Sequence, residues 1–334
     1  MQRIAIYTFF MNLKRIFSVA ALVVVVNLSA QEDHIVRKIN EYGKFDNWCQ
    51  REIKESSLIG GNVEYLYEFY GNPSDTLRTG KSPYVAPDGY LWRTNNVLAV
   101  VAGVVKTNNT VYPEKRGEGY CARLETHIEE VKVIGMINMD VTCQGALMVG
   151  QLPEPITTTK DPMSKVLYGV PFTECPKSVR MDYKADVCHE VIRGTGFSKL
   201  KPMGYVDHAE ITVILQKRWE DADGNIRALR VGTAIERIDK DIPDWINGHE
   251  LVIEYGDITS KPYYKDYMGL KTDPETAYHA INSKGDNVMM IEEGWAPEGT
   301  RPTHLLIHAI SSCGKAFYGG VGNTLWLDNV EVVM

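Results

Sequence analysis

Two adjacent carboxylate pairs, Glu129-Glu130 and Glu292-Glu293, are the first residues whose types could do chemistry. Two carboxylates can divide general-acid and general-base work across one scissile bond when they stand roughly 5–10 Å apart. Neighbours on a strand face opposite sides, so an adjacent pair can share a substrate only from a loop. Glu292-Glu293 runs into Gly294-Trp295-Ala296-Pro297, which reads as a loop, and is the better placed pair; Glu129-Glu130 reads as solvated acids. His304 and His308 lie four apart in Thr303-His-Leu-Leu-Ile-His-Ala-Ile310. On a helix they could share a zinc ion, but the alternation of Leu305, Ile307 and Ala309 predicts a strand, which separates them by about 13 Å. Asp221-Ala-Asp223-Gly224-Asn225 has the acids of a calcium loop. However, Ile226 stands where that loop needs glycine and Gly232 where it needs glutamate, so a hairpin turn is expected. No Gly-x-Ser-x-Gly and no Cys-x-x-Cys occurs, and Gly319-Gly320-Val321-Gly322 leads into a strand rather than a phosphate-binding helix.

The elements that must position these residues are mostly strands. Ile211, Val213 and Leu215 alternate within His208–Lys217, a return strand is expected from Ile226 to Ala234, and Glu250–Tyr255, Asn287–Glu292 and Thr303–Ile310 repeat the theme. Val97–Val105, Val131–Met136 and Ala146–Val149 are shorter β-branched runs. Two helices are expected, Glu32–Asn40 and Asp273–Ser283, the second because Asp273-Pro274 looks like an N-cap with proline at the first helical position. In the last segment, Leu325 and Leu327 share one parity and Val330 and Val332 the other. A bulge at Asp328-Asn329 would put all four on one face of a central, paired strand. The fold class is therefore all-β, a jelly-roll-like β-sandwich with few short helices, over residues 31–334; residues 31–80 could stand as a separate N-terminal subdomain.

Lys14-Arg15, the apolar run Ile16–Val26 and the small residue Ala30 have the layout of a secretory signal peptide over residues 1–30, with Met11 the better start. Its apolar run is too short for a membrane anchor, and no cysteine precedes Cys49 to take a lipid. An exported protein of the periplasm or cell surface is expected. The whole chain carries a net charge of −7, and removal of Arg3, Lys14 and Arg15 takes the mature chain to about −10. Dispersed lysines on an acidic chain are poor polyanion ligands, which argues against nucleic acid. Six cysteines at 49, 121, 143, 175, 188 and 313 permit disulfides without selecting a pairing.

The segment Ser311–Val333, SSCGKAFYGGVGNTLWLDNVEVV, resembles the C-terminal signature of the putative carbohydrate metabolism domain family of gut Bacteroides-type bacteria. Lys44-Phe-Asp-Asn-Trp48, Gly89-Tyr-Leu-Trp-Arg-Thr-Asn-Asn96, Tyr120-Cys-Ala-Arg-Leu124 and the pair Leu167–Thr173 with Pro176–Lys184 are similar to further family segments in the same order. The resemblance implies a jelly roll like those of carbohydrate-binding modules, and allows a structural calcium at Asp328 with no other cofactor. Sugar rings bind flat aromatic faces fringed by hydrogen-bonding groups. Trp92, Tyr183 and Trp295 are the candidate platforms, with Arg123 as a polar partner. The expected function is capture of a poly- or oligosaccharide, alone or beside other cell-envelope glycan-uptake proteins. A glycoside hydrolase on the same scaffold and a docking module of such a complex are the alternatives.

Overall fold

The computed structural model describes residues 34–334 except 73, 102, 134–136, 159–161, 197, 275 and 276; the expected export signal lies outside the described residues. A helix over residues 34–42 opens the described chain, and three short 3-10 turns are the other helical pieces among the described residues. The helix buries Ile39 and clamps the far end of the chain. Asn40 Nδ2 donates to Val332 O at 3.1 Å, Val332 N returns a bond to Asn40 Oδ1 at 2.8 Å, and Val330 N donates to Gly43 O. Gly43 is needed there, because a Cβ would stand 2.1 Å from Val330 O.

One layer is a five-stranded antiparallel sheet in the order Ile242–Val252, Ser178–Asp186, Thr324–Val333, Gly119–Glu125, Val111–Arg116. The C-terminal strand is central, as its composition predicts. Its register slips between the pairs Arg180–Glu331 and Asp182–Asp328, and Asn329 takes φ 50°. This bulge turns Leu325, Leu327, Val330 and Val332 to one buried face.

The other layer is a ten-stranded sheet. Seven of its strands close on themselves: His304–Ile310, Ala209–Glu220, Ile226–Ile238, Asn287–Trp295, Tyr278–Ile281, Leu167–Tyr168 and Ala146–Gln151, which pairs back to His304–Ile310. The closure explains why Ala209–Gln216 is buried on both faces. Ala209, Ile211, Val213 and Leu215 pack outward against the five-stranded sheet with Val179, Met181, Leu325 and Leu327, the core of the sandwich. The opposite parity points into the ring, where Ile214 meets Met148, Leu306, Met290 and Tyr278 in a second core.

No helix forms among the described residues of Asp273–Ser283. Tyr278–Ile281 is a strand that pairs with Asn287–Trp295, and Asn282 Oδ1 accepts from Lys284 N and Asp286 N to turn the hairpin. Tertiary pairing outweighs the local capping signal here. The Asp223-Gly224 turn is as expected: Asp221 Oδ1 accepts from Asp223 N and Asn225 N, and Gly224 takes φ 91°. In the N-terminal part, Cys49–Lys54 pairs with Val63–Glu68 and Thr76–Leu77, and Ile53, Leu66, Leu98 and Val105 form a small core. Trp48 and Phe69 nevertheless pack into the main core. All six cysteines are free thiols. No helix among the described residues is long and apolar enough to cross a membrane.

Candidate functional site

A cavity of about 470 Å³ opens at one end of the closed ring. That volume suits a small ligand, and barrel mouths are frequent binding sites. Met148, Tyr168, Tyr278, His308 and Ile310 supply apolar wall from the ring strands, and Cys313–Phe317 supplies rim. The rings of Tyr168 and Tyr278 lie 4.7 Å apart, and Tyr168 meets His308 edge-on at 5.1 Å. Strand pairing sets this geometry: His308 stands opposite both Thr212 and Met148, and Glu210 opposite both Ile310 and Arg237.

The polar groups divide into spent and unspent ones. Glu210 is spent: its carboxylate accepts from Arg237 Nε at 2.7 Å, from Thr212 Oγ1 at 3.1 Å and from Cys313 Sγ at 3.2 Å. Burial raises its carboxyl, but the Arg237 bond and the charges of Lys271 and Arg237 outweigh it and hold the group below the usual range. Burial pushes the His308 imidazole down to about 4, so it is neutral near pH 7, and its buried Nε2 has no hydrogen-bond partner among the described residues. An unpaired buried nitrogen is costly unless a ligand completes it. Lys271, which also lines the cavity, makes no ion pair among the described residues. Burial raises Tyr168, Tyr278 and the Cys313 thiol, so all three stay protonated near neutral pH.

None of the aromatic platforms expected from the sequence lies here. Trp92 is 1% exposed, packs edge-on against Phe45 and donates Nε1 to Ile39 O at 3.0 Å; the N-terminal helix covers it, so it cannot be a ligand platform. Tyr183 is 3% exposed and belongs to the same core, because it shares parity with Val179, Met181 and Ala185. Trp295 is partly exposed but ends a strand rather than sitting in a loop, with the Arg230 guanidinium 5.6 Å over its ring. Arg123 lies on the outer face of the five-stranded sheet, in a cross-strand row with Lys184, Trp326 and Tyr112. It pairs with Glu114 and Glu125 and caps the Tyr112 ring, so its charge is already used.

The acids and histidines fare similarly. Asp328 and Asp182 both accept from Arg116 Nη1, at 2.6 and 2.8 Å, and the guanidinium supplies the positive charge a calcium ion would bring; this donor set does not fit calcium. Among the described residues no three His, Cys, Asp or Glu gather as metal ligands. Glu292-Glu293 lies on a strand, so the two face apart: Glu292 is buried on Arg230, and Glu293 reaches Arg227 at 3.6 Å. Glu129 pairs with Lys106 and Glu130 with Lys132. Glu210, Arg237 and Lys271 went unnoticed in the sequence. The signal that marks Glu210 is its parity, since Glu210, Thr212 and Gln216 are polar positions on a strand whose both faces are buried.

No curated protein matches the chain. It is similar to two solved structures, each described as a putative glycoside hydrolase. The one from Bacteroides thetaiotaomicron VPI-5482 is 15% identical with a TM-score of 0.40, covering 82% of this chain and 81% of that one. The one from Bacteroides vulgatus ATCC 8482 is 16% identical with a TM-score of 0.45, covering 87% of this chain and 96% of that one. The family described as putative carbohydrate metabolism domain matches residues 62–333, and the chain belongs to that family.

Proposed function

We propose that this protein binds a saccharide in the cavity at the end of the ring and does not cleave it. The observation that carries the reading is a semi-enclosed site with one carboxylate among the described lining residues, already bound to Arg237, beside a His308 Nε2 with no hydrogen-bond partner among the described residues, on an apolar wall. Most glycoside hydrolases divide the work between two carboxyl groups, one of them protonated near neutral pH. Glu210 is held ionised instead. A sugar ring would rest its C–H face on the partly exposed rim side chains Ile310 and Phe317, with the buried Tyr168 and Tyr278 behind them, and exchange hydrogen bonds with His308 Nε2 and Lys271 Nζ. In the same reading the chain is exported and works in the periplasm or at the cell surface, alone or beside other glycan-uptake proteins.

The test is to incubate the purified mature protein with a panel of host and plant poly- and oligosaccharides, following retention and new reducing ends in the same tubes. Retention without release is expected. Release of reducing ends would overturn the non-catalytic reading, and no retention across a broad panel would overturn saccharide binding altogether.

A further inference from the structure

We infer that the saccharide taken by this cavity is acidic, carrying a carboxylate or sulfate group; the inference rests on the binding function proposed above. The argument is one of charge. Arg237, Lys271, Lys165 and Lys315 line the cavity, and Glu210 is the one acid among its described lining residues, on a chain whose net charge is −7. Arg237 and Glu210 cancel each other in a direct ion pair. Lys271 remains partly buried, close enough for its charge to act on Glu210 yet in no ion pair among the described residues. A partly buried cation with no ion pair at contact distance gains from an anion that enters beside it. Low-dielectric walls also focus the field of Lys271 into the opening, which draws an anion in against the net charge of the chain.

The chemistry of the neighbours fits a ring bearing such a group. An ammonium offers three donors to a carboxylate or sulfate oxygen. His308 Nε2, neutral and unpartnered, is left for a ring hydroxyl. Lys271 is suited to a selective role because its backbone does separate work: Lys271 N donates to Glu292 Oε2 at 2.7 Å and its carbonyl accepts from Glu292 N. A side-chain change therefore leaves the backbone anchor in place.

The experiment is calorimetric titration of the mature full chain with three disaccharides: a hexuronate-containing one, its carboxyl-reduced neutral counterpart, and an O-sulfated form of that counterpart. Each is run at low and at physiological salt. One or both acidic disaccharides are expected to bind at least about tenfold more tightly than the neutral one, and to weaken with salt. The two acidic arms separate carboxylate from sulfate recognition. Lys271→Met should remove most of that preference, measured as the ratio of acidic to neutral affinity, and Lys271→Arg should retain it. Equal affinity for acidic and neutral disaccharides would overturn the inference and leave the cavity as a saccharide site. Binding of none of the three, together with none across the wider panel, would overturn the underlying function instead.

Discussion

Glu292 is the residue at which a hydrolytic and a structural account diverge most. Its carboxylate accepts from Gln216 Nε2 at 2.5 Å, from Arg230 Nε at 2.7 Å, from Arg230 Nη2 and from Lys271 N at 2.7 Å. Both side chains of the ion pair are sealed from solvent, Arg230 at 0% and Glu292 at 1%. Arg230 also donates to Thr233 Oγ1, Met268 O and Gly269 O, so the pair holds the 266–271 segment across one end of the ring. Glu292→Gln keeps the shape, removes the charge and points an NH₂ donor at groups that are themselves donors. It leaves a buried guanidinium without its anion, a change worth about 3–5 kcal/mol, or a fall in Tm on the order of 10 °C. The double variant Glu292→Gln/Arg230→Met should recover a large part of that loss, because no uncompensated charge remains. Urea unfolding followed by tryptophan fluorescence measures the stabilities, and a reducing-end assay on folded protein measures any hydrolysis. If Glu292→Gln unfolds within about 1 kcal/mol of the parent while abolishing release of reducing ends, Glu292 is a catalytic acid and the structural account is wrong.

Other consequences follow from the same contacts. Burial pushes His308 down to about 4 and, with the charge of Arg218, His304 down to about 3. Unfolded histidines titrate near 6.5, so stability is fully present above that pH and is lost as pH falls toward 4, by up to about 3 kcal/mol for His308; His308→Gln should flatten a plot of stability against pH between 6.5 and 4.5, and an unchanged slope would mean His308 is solvated. Trp92→Ala removes a fully buried indole and should cost about 3–5 kcal/mol, whereas a folded, equally stable variant with weakened glycan binding would restore Trp92 as a platform. Gly43→Ala forces a Cβ into Val330 O and should destabilise the chain by at least about 1–3 kcal/mol; a neutral result by thermal unfolding would show that the helix does not clamp the last strand.

The β-sandwich was legible because strand parity is local. Alternation in Ala209–Glu220, the Asp223-Gly224 turn and the parity change at Asp328-Asn329 each lie within a few residues, and each is realised. Tyr183 could have been placed by the same rule, since Arg180 and Lys184 take one parity and Val179, Met181, Tyr183 and Ala185 the other. What was not legible depends on distant partners. Trp92 is covered by a helix some fifty residues upstream, with Ile39 O as its acceptor. The Asp273-Pro274 signal promised a helix, but pairing to Asn287–Trp295 takes that chain into a sheet. The cavity exists only because Ala146–Gln151 pairs with His304–Ile310, which closes the ring and brings Glu210, Lys271 and His308 to one mouth. No spacing in the sequence encodes that closure.

The central claim is that the ring mouth, rather than the outer sheet face, is the saccharide site. The most direct test is titration of one oligosaccharide retained by the parent protein into two variants. Ala316→Trp fills the rim of the cavity at a partly exposed position, and Trp326→Ala strips the outer face of its central aromatic. The account predicts that binding is lost in Ala316→Trp and unchanged within about twofold in Trp326→Ala. Loss in Trp326→Ala with full binding in Ala316→Trp would contradict it and move the site to the row of Lys184, Trp326, Arg123 and Tyr112.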